Sequence, residues 1–311
     1  MVEDVRELVG RTPLLRLRGL GLAPGTECYA KLEMFNPGGS VKDRIGVHML
    51  ERAEAAGLLR PGMTLIEPTA GNTGIGLALA ARGRGYRVIF VVPRKFSVEK
   101  QLLMRALGAE IVHTPTEEGM VGAMRRAREL AAEIGDAYIP QQFENSWNPE
   151  AHYLTTGPEI WEQMGGRIDL FVAGAGTGGT FTGCARYLKE RNPRLKAVVV
   201  EPVGSVLGGG PPGPHRTEGI GVEEITPTLD MSLADEVETI PDDEAFAMVE
   251  RLALEAGVLA GSSSGAALAA VVRQSHKWTG PRPLRVATIF PDSSERYLSQ
   301  GIYSFEEAVE R

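Results

Sequence analysis

The sequence is poor in cysteine and histidine. Its 311 residues include two cysteines and five histidines, and the cysteines, Cys28 and Cys184, lie far apart. The histidines are equally scattered, so neither zinc-ligand spacing nor a framework of paired cysteines is present. The sequence therefore predicts no metal site and no stabilisation by disulfides.

Dense blocks of basic residues are also lacking. The net charge is −7 at pH 7, and the one short concentration, Arg125, Arg126 and Arg128, falls on a helix-like segment and is interpreted as a solvated face. A negative protein is repelled by nucleic acids and anionic membranes. We therefore expect neither as a partner.

Long apolar runs are missing as well. The N-terminal residues, MVEDVRELVGRTP, are acidic and contain no apolar signal core. No run approaches the roughly 20 apolar residues that cross a bilayer. These absences favour a cytoplasmic protein.

The composition is that of a globular chain, with 43% hydrophobic and 23% charged residues. Its length of 311 residues exceeds the size at which a single core stops growing. Two lobes are predicted, and the absence of a compositional boundary indicates that they share segments and are not joined by a linker.

Strand-like and helix-like segments alternate along the chain. After an N-terminal arm, the strand-like run 28–34 precedes the helix-like run 41–57, and the cycle repeats to a final strand at 285–290, with one long helix expected at 151–164. Such alternation is typical of parallel sheets with helices on both faces. The predicted fold class is α/β, with two lobes that each contain a mostly parallel sheet.

One stretch, NPGGSVKDR at 36–44, places Lys42 where a helix begins. Backbone N–H groups without partners make a helix start electropositive, which favours a neutral amine. A neutral lysine is a nucleophile toward carbonyl groups. The alternative is an ordinary solvated lysine.

Three glycine-rich turns each connect a strand to a helix. They are TAGNTG at 69–74, GAGTGGT at 174–180 and GSSSG at 261–265. Small residues allow close backbone approach, and free N–H groups at a helix start favour a carboxylate or a phosphate. The serines of the third turn could equally serve as helix caps.

The second turn also matches a dinucleotide fingerprint. Gly174, Gly176 and Gly179 have the required spacing, and Glu201 ends the next strand. This pattern would indicate an NAD-dependent oxidoreductase. It assigns no role, however, to the lysine stretch or to the first turn.

A reactive lysine, a phosphate turn and a second anion-binding turn are the parts that pyridoxal 5′-phosphate requires to act on an amino acid. The motifs NPGGSVKDR, TAGNTG, PQQFEN, GTGGT and GSSSGAA, in this order, resemble the cysteine synthase (O-acetylserine sulfhydrylase) and cystathionine β-synthase family of fold-type II pyridoxal-phosphate enzymes. The resemblance covers nearly the whole chain, including PDSSERYLSQGIY near its end.

The resemblance implies a fold like that of the tryptophan synthase β chain. A smaller, mobile lobe of residues 40–145 would carry the substrate carboxylate turn. A larger lobe of residues 1–39 and 146–311 would contact the phosphate and the pyridine ring. The family also implies a homodimer.

The resemblance assigns the cofactor contacts. Lys42 would form the Schiff base and then remove the substrate α-proton, and Asn72 would bond the 3-hydroxyl oxygen. Ser263 would face the pyridine nitrogen, with Ser262 and Ser264 as alternatives. Gly38 and Gly39 would leave room for the cofactor. The phosphate would be held by Gly176, Thr177, Gly178, Gly179 and Thr180.

The substrate carboxylate would be bound by Thr69, Ala70, Thr73 and Gln142. The family often has serine where this chain has Ala70, which leaves the backbone amide as the contact there.

The implied reaction is a ping-pong β-replacement that makes L-cysteine from O-acetyl-L-serine and sulfide. The alternative is cystathionine β-synthase chemistry, with serine or O-acetylserine and homocysteine. The Gly/Pro-rich loop at 203–221, which could also be a tolerated insertion, and Met120 are candidates to face the second substrate.

Overall fold

The computed structural model describes residues 1–94 and 97–303. Positions 95–96 of the predicted smaller lobe and 304–311 of the predicted larger lobe lie outside the described residues. The strands are β1 (Leu14–Leu17), β2 (Thr26–Leu32), β3 (Thr64–Pro68), β4 (Arg87–Pro93), β5 (Glu110–Thr114), β6 (Ala137–Tyr138), β7 (Leu170–Gly174), β8 (Lys196–Pro202), β9 (Glu236–Ile240) and β10 (Leu284–Phe290). The helices are α1 (Lys42–Ala55), α2 (Asn72–Ala81), α3 (Val98–Ala106), α4 (Gly119–Ile134), α5 (Trp147–Leu154), α6 (Thr156–Gln163), α7 (Gly179–Arg191), α8 (Asp242–Ala256) and α9 (Ser262–Lys277). None of the helices in these ranges has both the length and the apolar character needed to cross a membrane.

The strands form two sheets. One has six strands in the order β1-β2-β10-β7-β8-β9, in which only β1 and β2 pair antiparallel. The other has four parallel strands in the order β5-β4-β3-β6. The predicted α/β class with mostly parallel sheets is confirmed.

Helices cover both faces of the six-stranded sheet because successive side chains of a buried strand point to opposite faces. On β7, Leu170 and Val172 pack in the apolar cluster that includes residues of α8 and α9. Phe171 and Ala173 pack in a second cluster with residues of α6 and α7. This explains why the strand reads as a continuous apolar run.

The four-stranded sheet is covered in the same way. Leu65 and Phe90 pack in a cluster with residues of α1 and α2. Ile66 and Ile89 pack against α4 through Ala123. All four strands come from residues between 64 and 138.

Two sequence expectations need correction. The helix expected at 151–164 is two helices, because Thr155 (φ −126°, ψ −68°) leaves helical geometry and its hydroxyl bonds the Ala151 carbonyl at 2.6 Å. Pro158 has no backbone N–H, so it cannot continue the helical hydrogen bonds across the junction between α5 and α6. The N-terminal arm contains β1, whose four residues are too few to show a pattern and are held by pairing with β2.

Helices α1 and α2 touch backbone to backbone at two glycines. A Cβ on Gly46 would lie 2.5 Å from the Gly76 carbonyl oxygen, and a Cβ on Gly76 would lie 2.5 Å from the carbonyl oxygen of Lys42. Only glycine permits this approach. The contact brings Lys42, the first residue of α1, beside the N-terminal turn of α2.

The substitution Gly76→Ala tests this contact. Alanine is a better helix former than glycine by roughly 0.8–1.0 kcal/mol. A loss of stability in this variant would therefore be due to the steric conflict and not to helix propensity. We expect the free energy of unfolding to fall by about 1–3 kcal/mol, the usual cost of overpacking. Urea unfolding measures it.

Gly210→Ala is the matched control, since a Cβ there would meet only the Ser205 carbonyl oxygen at an ordinary 3.5 Å. Its free energy of unfolding should stay within about 0.5 kcal/mol of that of the unsubstituted protein. Equal midpoints for the two variants would contradict the close contact.

Candidate active site

The candidate site is a crevice between the two sheets, where the turns that follow β3, β7 and β10 meet. It contains a cavity of about 620 Å³ and a smaller one of about 40 Å³, whose walls share Lys42, Asn72 and Thr177. Ligands of α/β proteins bind at the carboxyl ends of parallel strands. Of the residues predicted to bond the cofactor or the substrate carboxylate, all but Gly179 line one or both cavities: Lys42, Thr69, Ala70, Asn72, Thr73, Gln142, Gly176, Thr177, Gly178, Thr180 and Ser263.

Lys42 is the first residue of α1 and lies at both cavities. Its backbone N–H donates to the Ser40 hydroxyl at 3.2 Å, so the Ser40 side chain satisfies one backbone N–H at the start of α1. Burial lowers the pKa of the Lys42 amine to about 8, and the negative charge of Asp292 opposes this shift. A substantial fraction of the amine is therefore neutral near physiological pH.

Gly38 and Gly39, which are expected to leave room for the cofactor, are each packed against a charged side chain. A Cβ on Gly38 would lie 2.4 Å from the Asp43 carboxylate, and one on Gly39 would lie 2.5 Å from the Arg296 guanidinium. Gly39 also has a φ of 79°, which favours glycine. These glycines admit side chains of the protein itself.

The turn at 174–180 has the features of an anion site. Helix α7 begins after Gly178 (φ 84°), and no side chain caps its first N–H groups. A Cβ on Gly176 would lie 2.4 Å from the Gly219 carbonyl oxygen, so the absence of a side chain at Gly176 allows the loop at 203–221 to pack against this turn.

Gly179 packs against a side chain of α5. A Cβ there would lie 2.0 Å from the Asn148 side-chain oxygen. The Asn148 amide donates to the Thr177 hydroxyl at 3.0 Å and to the Gln142 carbonyl oxygen at 2.7 Å. Asn148 thus connects the predicted phosphate turn to the predicted carboxylate residue. Sequence reasoning missed it, since a lone asparagine carries no motif.

The Thr180 hydroxyl is oriented by a buried histidine. It bonds His152 Nε2 at 3.1 Å, and His152 Nδ1 bonds the Thr156 hydroxyl at 2.9 Å. Burial, followed by the charge of Lys42, lowers the pKa of His152 well below its usual value. The imidazole is therefore neutral and acts as a spacer between two hydroxyls.

The turn at 69–74 resembles the turn at 174–180 in having an uncapped helix start, since no side chain caps α2 at Gly71. The Thr73 hydroxyl donates to the Gln142 side-chain oxygen at 2.6 Å. Buried Glu67 accepts the backbone N–H groups of Gln141 and Gln142 at 2.9 and 3.0 Å, and burial raises its pKa to about 7.

Gln141 has a φ of 59°, which is strained for a residue with a side chain. The two Glu67 bonds stabilise this conformation and so hold Gln142 at the cavity.

The third turn connects α8 to α9, so the prediction that it follows a strand is wrong. Its three serines lie in different surroundings. Ser263 lines the smaller cavity. The Ser262 hydroxyl accepts the Glu218 N–H at 3.0 Å, and the fully buried Ser264 lies away from both cavity walls. The geometry therefore favours Ser263 among the three alternatives.

Several side chains at the site carried no chemical signal in the sequence. Asp292 accepts a hydrogen bond from the Asn72 amide at 2.6 Å. Lys100 pairs with Glu218 at 2.6 Å and lies 4.3 Å from the centre of the Tyr297 ring. Asp292 and Tyr297 belong to PDSSERYLSQGIY, which matched the family pattern without an assigned role.

The two second-substrate candidates both reach the site. Met120 and residues 215–221 of the loop line the larger cavity. The position of this segment favours a functional loop over a tolerated insertion.

The dinucleotide interpretation requires Glu201 to bind a ribose, and the Glu201 side chain is already engaged within the protein. Both oxygens of Glu201 are engaged, by the Leu207 and Gly208 N–H groups at 2.8 and 2.9 Å and by the Thr239 hydroxyl at 2.8 Å. The side chain is buried and holds the start of the loop. It is not available to a ribose.

The donor set fits pyridoxal phosphate. A nucleophilic amine suits its aldehyde, and the uncapped start of α7 suits its phosphate. The amide of Asn72 and the hydroxyl of Ser263 lie at the same smaller cavity as Lys42.

Comparison with known proteins extends this result to the whole chain. The model of the family described as "Pyridoxal-phosphate dependent enzyme" matches residues 5–292. A Bacillus subtilis protein named O-acetylserine dependent cystathionine beta-synthase is 52% identical over 303 residues, which cover 97% of this chain and 98% of that protein. A Helicobacter pylori protein named cysteine synthase is 49% identical over 305 residues, which cover 97% of this chain and 99% of that protein.

A solved structure agrees with these matches. The crystal structure of O-acetylserine dependent cystathionine beta-synthase from Helicobacter pylori superposes with a TM-score of 0.93 at 49% identity, covering 98% of this chain and 99% of that one. Both the sequence and the fold match over nearly the full length. The chain belongs to the family of pyridoxal-phosphate dependent enzymes.

Proposed function

We propose that this protein catalyses a pyridoxal-phosphate-dependent β-replacement that makes L-cysteine from O-acetyl-L-serine and sulfide. The observation that carries the proposal is the Lys42 amine, with its lowered pKa, at a cavity that two uncapped helix starts also reach. Similarity to a protein named cysteine synthase over 97% of the chain supports it.

The cofactor supplies an electron sink for the carbanion formed at the substrate Cα. The chain's own groups hold it: the turn at 174–180 binds the phosphate through free N–H groups and the hydroxyls of Thr177 and Thr180. Asn72 bonds the 3-hydroxyl oxygen, and Ser263 faces the pyridine nitrogen. A hydroxyl does not enforce ring protonation as a carboxylate would, which favours elimination of a good leaving group over transamination.

The substrate carboxylate binds at the start of α2, through the hydroxyls of Thr69 and Thr73, the Ala70 amide and the Gln142 side chain. The Lys42 Nζ, when not bonded to the cofactor, would be the base that accepts the proton from the substrate Cα. An amine with a pKa of about 8 is suited to this, since a general base works best when its pKa is near the working pH.

The predicted lobes belong to the same proposal. Residues 40–145 contain the whole four-stranded sheet and the carboxylate turn, so closure of this smaller lobe would enclose the substrate. The phosphate turn and Ser263 belong to the larger lobe. We also propose that the protein is a homodimer and that it is located in the cytoplasm. Analytical sedimentation measures the oligomeric state.

Homocysteine is the second candidate for the nucleophile, with cystathionine as the product. The Bacillus subtilis relative and the Helicobacter pylori structure both carry the name O-acetylserine dependent cystathionine beta-synthase. The larger cavity, about 620 Å³, exceeds the needs of sulfide. The Lys100–Glu218 pair on its wall offers charges of both signs to an amino acid.

Steady-state turnover separates the two candidates. O-acetylserine, O-phosphoserine and serine are each combined with sulfide and with homocysteine. We expect the highest kcat/KM for O-acetylserine with sulfide. A higher value with homocysteine would assign the second candidate, and turnover with neither nucleophile would contradict the β-replacement.

The Lys42→Ala variant tests the catalytic lysine. We expect kcat to fall at least about a thousandfold, because both the cofactor attachment and the base are lost. The matched control is Lys277→Ala, at the end of α9, whose exposed amine pairs with Glu236 and Glu238 on β9. Normal turnover by the Lys42 variant would eliminate the proposed mechanism.

The pH dependence of cofactor capture tests the state of the Lys42 amine. Only a deprotonated amine attacks an aldehyde, so the capture rate should rise with pH. The midpoint should lie near the pKa of about 8 and not near the ordinary value of 10.5. Stopped-flow absorbance on apoprotein, with a cofactor-only titration subtracted, gives the profile. A midpoint above about 10 would mean that the amine is solvated like an ordinary lysine.

A further inference from the structure

The side chain of Asn72 is held at both ends. Its amide nitrogen donates to the Asp292 carboxylate at 2.6 Å, and its amide oxygen accepts from the Arg296 guanidinium at 2.6 Å. Asn72 begins α2, whereas the two partners follow β10 more than 200 positions later. We refer to Asp292 and Arg296 together as the amide clamp.

The amide clamp permits only one orientation of the amide. A guanidinium can only donate, so it requires the amide oxygen. An ionised carboxylate can only accept, so it requires the amide nitrogen. A flip of the Asn72 side chain would place oxygen against oxygen and nitrogen against nitrogen.

One N–H of Asn72 is left over by this arrangement. The amide nitrogen carries two hydrogens, and Asp292 takes one. Within residues 1–94 and 97–303, no hydrogen bond engages the second. Asn72 lines both cavities beside Lys42, so this N–H is available to a ligand there.

The amide clamp is itself fixed by its surroundings. Asp292 is 2% exposed and also accepts a hydrogen bond from the Tyr297 hydroxyl. The second nitrogen of Arg296 donates to the Gly38 carbonyl oxygen, where a Cβ on Gly39 would collide with the guanidinium. The backbone also connects the segment to α1, since the Val41 N–H donates to the Pro291 carbonyl oxygen at 2.8 Å.

We propose that Asp292 and Arg296 are positioning residues that hold the Asn72 amide with its free N–H toward the 3-oxygen of the cofactor. They touch Asn72 and act through it. Their contribution is therefore selective: it benefits a cofactor that carries the 3-oxygen and is without effect on one that lacks it. The inference rests on the proposed contact of Asn72 with that oxygen and is independent of the nucleophile.

The test compares two cofactors on the apoprotein. The dissociation constants of pyridoxal 5′-phosphate and 3-deoxypyridoxal 5′-phosphate are measured by protein fluorescence, and their ratio is the discrimination factor. The factor is compared between proteins, so intrinsic differences between the two aldehydes cancel. Binding is the readout, so activity is not needed.

We expect Asn72→Ala to lower the factor about tenfold, the equivalent of about 1.4 kcal/mol. Asp292→Ala and Arg296→Met should each lower the discrimination factor nearly as much as Asn72→Ala does. Their affinity for the deoxy cofactor should stay within about twofold of that of the unsubstituted protein. In the Asn72→Ala background, Asp292→Ala should lower the factor no further.

Asp136→Ala and Arg60→Met are the matched controls. These residues form an exposed ion pair at 2.9 Å, away from both cavities, and the factor should not change. Circular dichroism verifies that each variant is folded, and Arg296→Met tests the amide clamp from its other end if Asp292→Ala does not fold.

Each remaining outcome overturns the inference. If Asn72→Ala keeps the full factor, the Asn72 contact fails and the amide clamp with it, while the β-replacement is still judged by turnover. If only Asn72→Ala lowers the factor, the contact stands and the amide clamp has no role in it. Equal weakening of both cofactors by Asp292→Ala and Arg296→Met would show a merely structural role.

Discussion

The backbone contact between α1 and α2 determines where the reactive lysine lies. Because Gly46 and Gly76 have no Cβ, the two helices approach until the carbonyl group of Lys42 meets Gly76. The first residue of α1 thereby lies about one helical turn along α2 from Asn72, and both residues line the two cavities. This approach brings the lysine and the turn at 69–74 to one crevice, which the turn at 174–180 also lines.

Burial alone does not identify the reactive lysine. Lys31 is also buried, but its amine is engaged by the Thr12 carbonyl, the Gln163 side chain and the Glu159 carboxylate. Lys42 has its amine at the cavities, with Asp292 as the nearby opposing charge. Reactivity follows from burial at a cavity without a paired carboxylate, where the neutral amine is favoured.

Local patterns in the sequence predicted much of the site. The turns at 69–74 and 174–180 each follow a strand and begin a helix, so their position at the carboxyl edge of a parallel sheet followed from the alternation of elements. Lys42, Thr69 and Thr177 could therefore be identified from neighbouring residues. The turn at 261–265 connects two helices, and its position did not follow from that alternation. The α/β class followed from the same alternation.

Partners distant in sequence could not be predicted. Asp292 meets Asn72 across 220 positions, and Asn148 meets Gly179 by packing α5 against α7. The surroundings of the glycines could not be predicted for the same reason: Gly38, Gly39 and Gly179 make room for side chains that only the folded chain brings near. The break at Thr155 likewise depends on a side-chain bond that helical periodicity does not reveal.

Reduction with borohydride tests the central claim most directly. The holoenzyme is treated with borohydride and digested, and the peptides are mapped by mass spectrometry. The structure predicts a pyridoxyl group on Lys42 alone, with none on Lys31 or Lys100. A group on another lysine, or an unmodified Lys42 in protein that retains the reduced cofactor, would contradict the account.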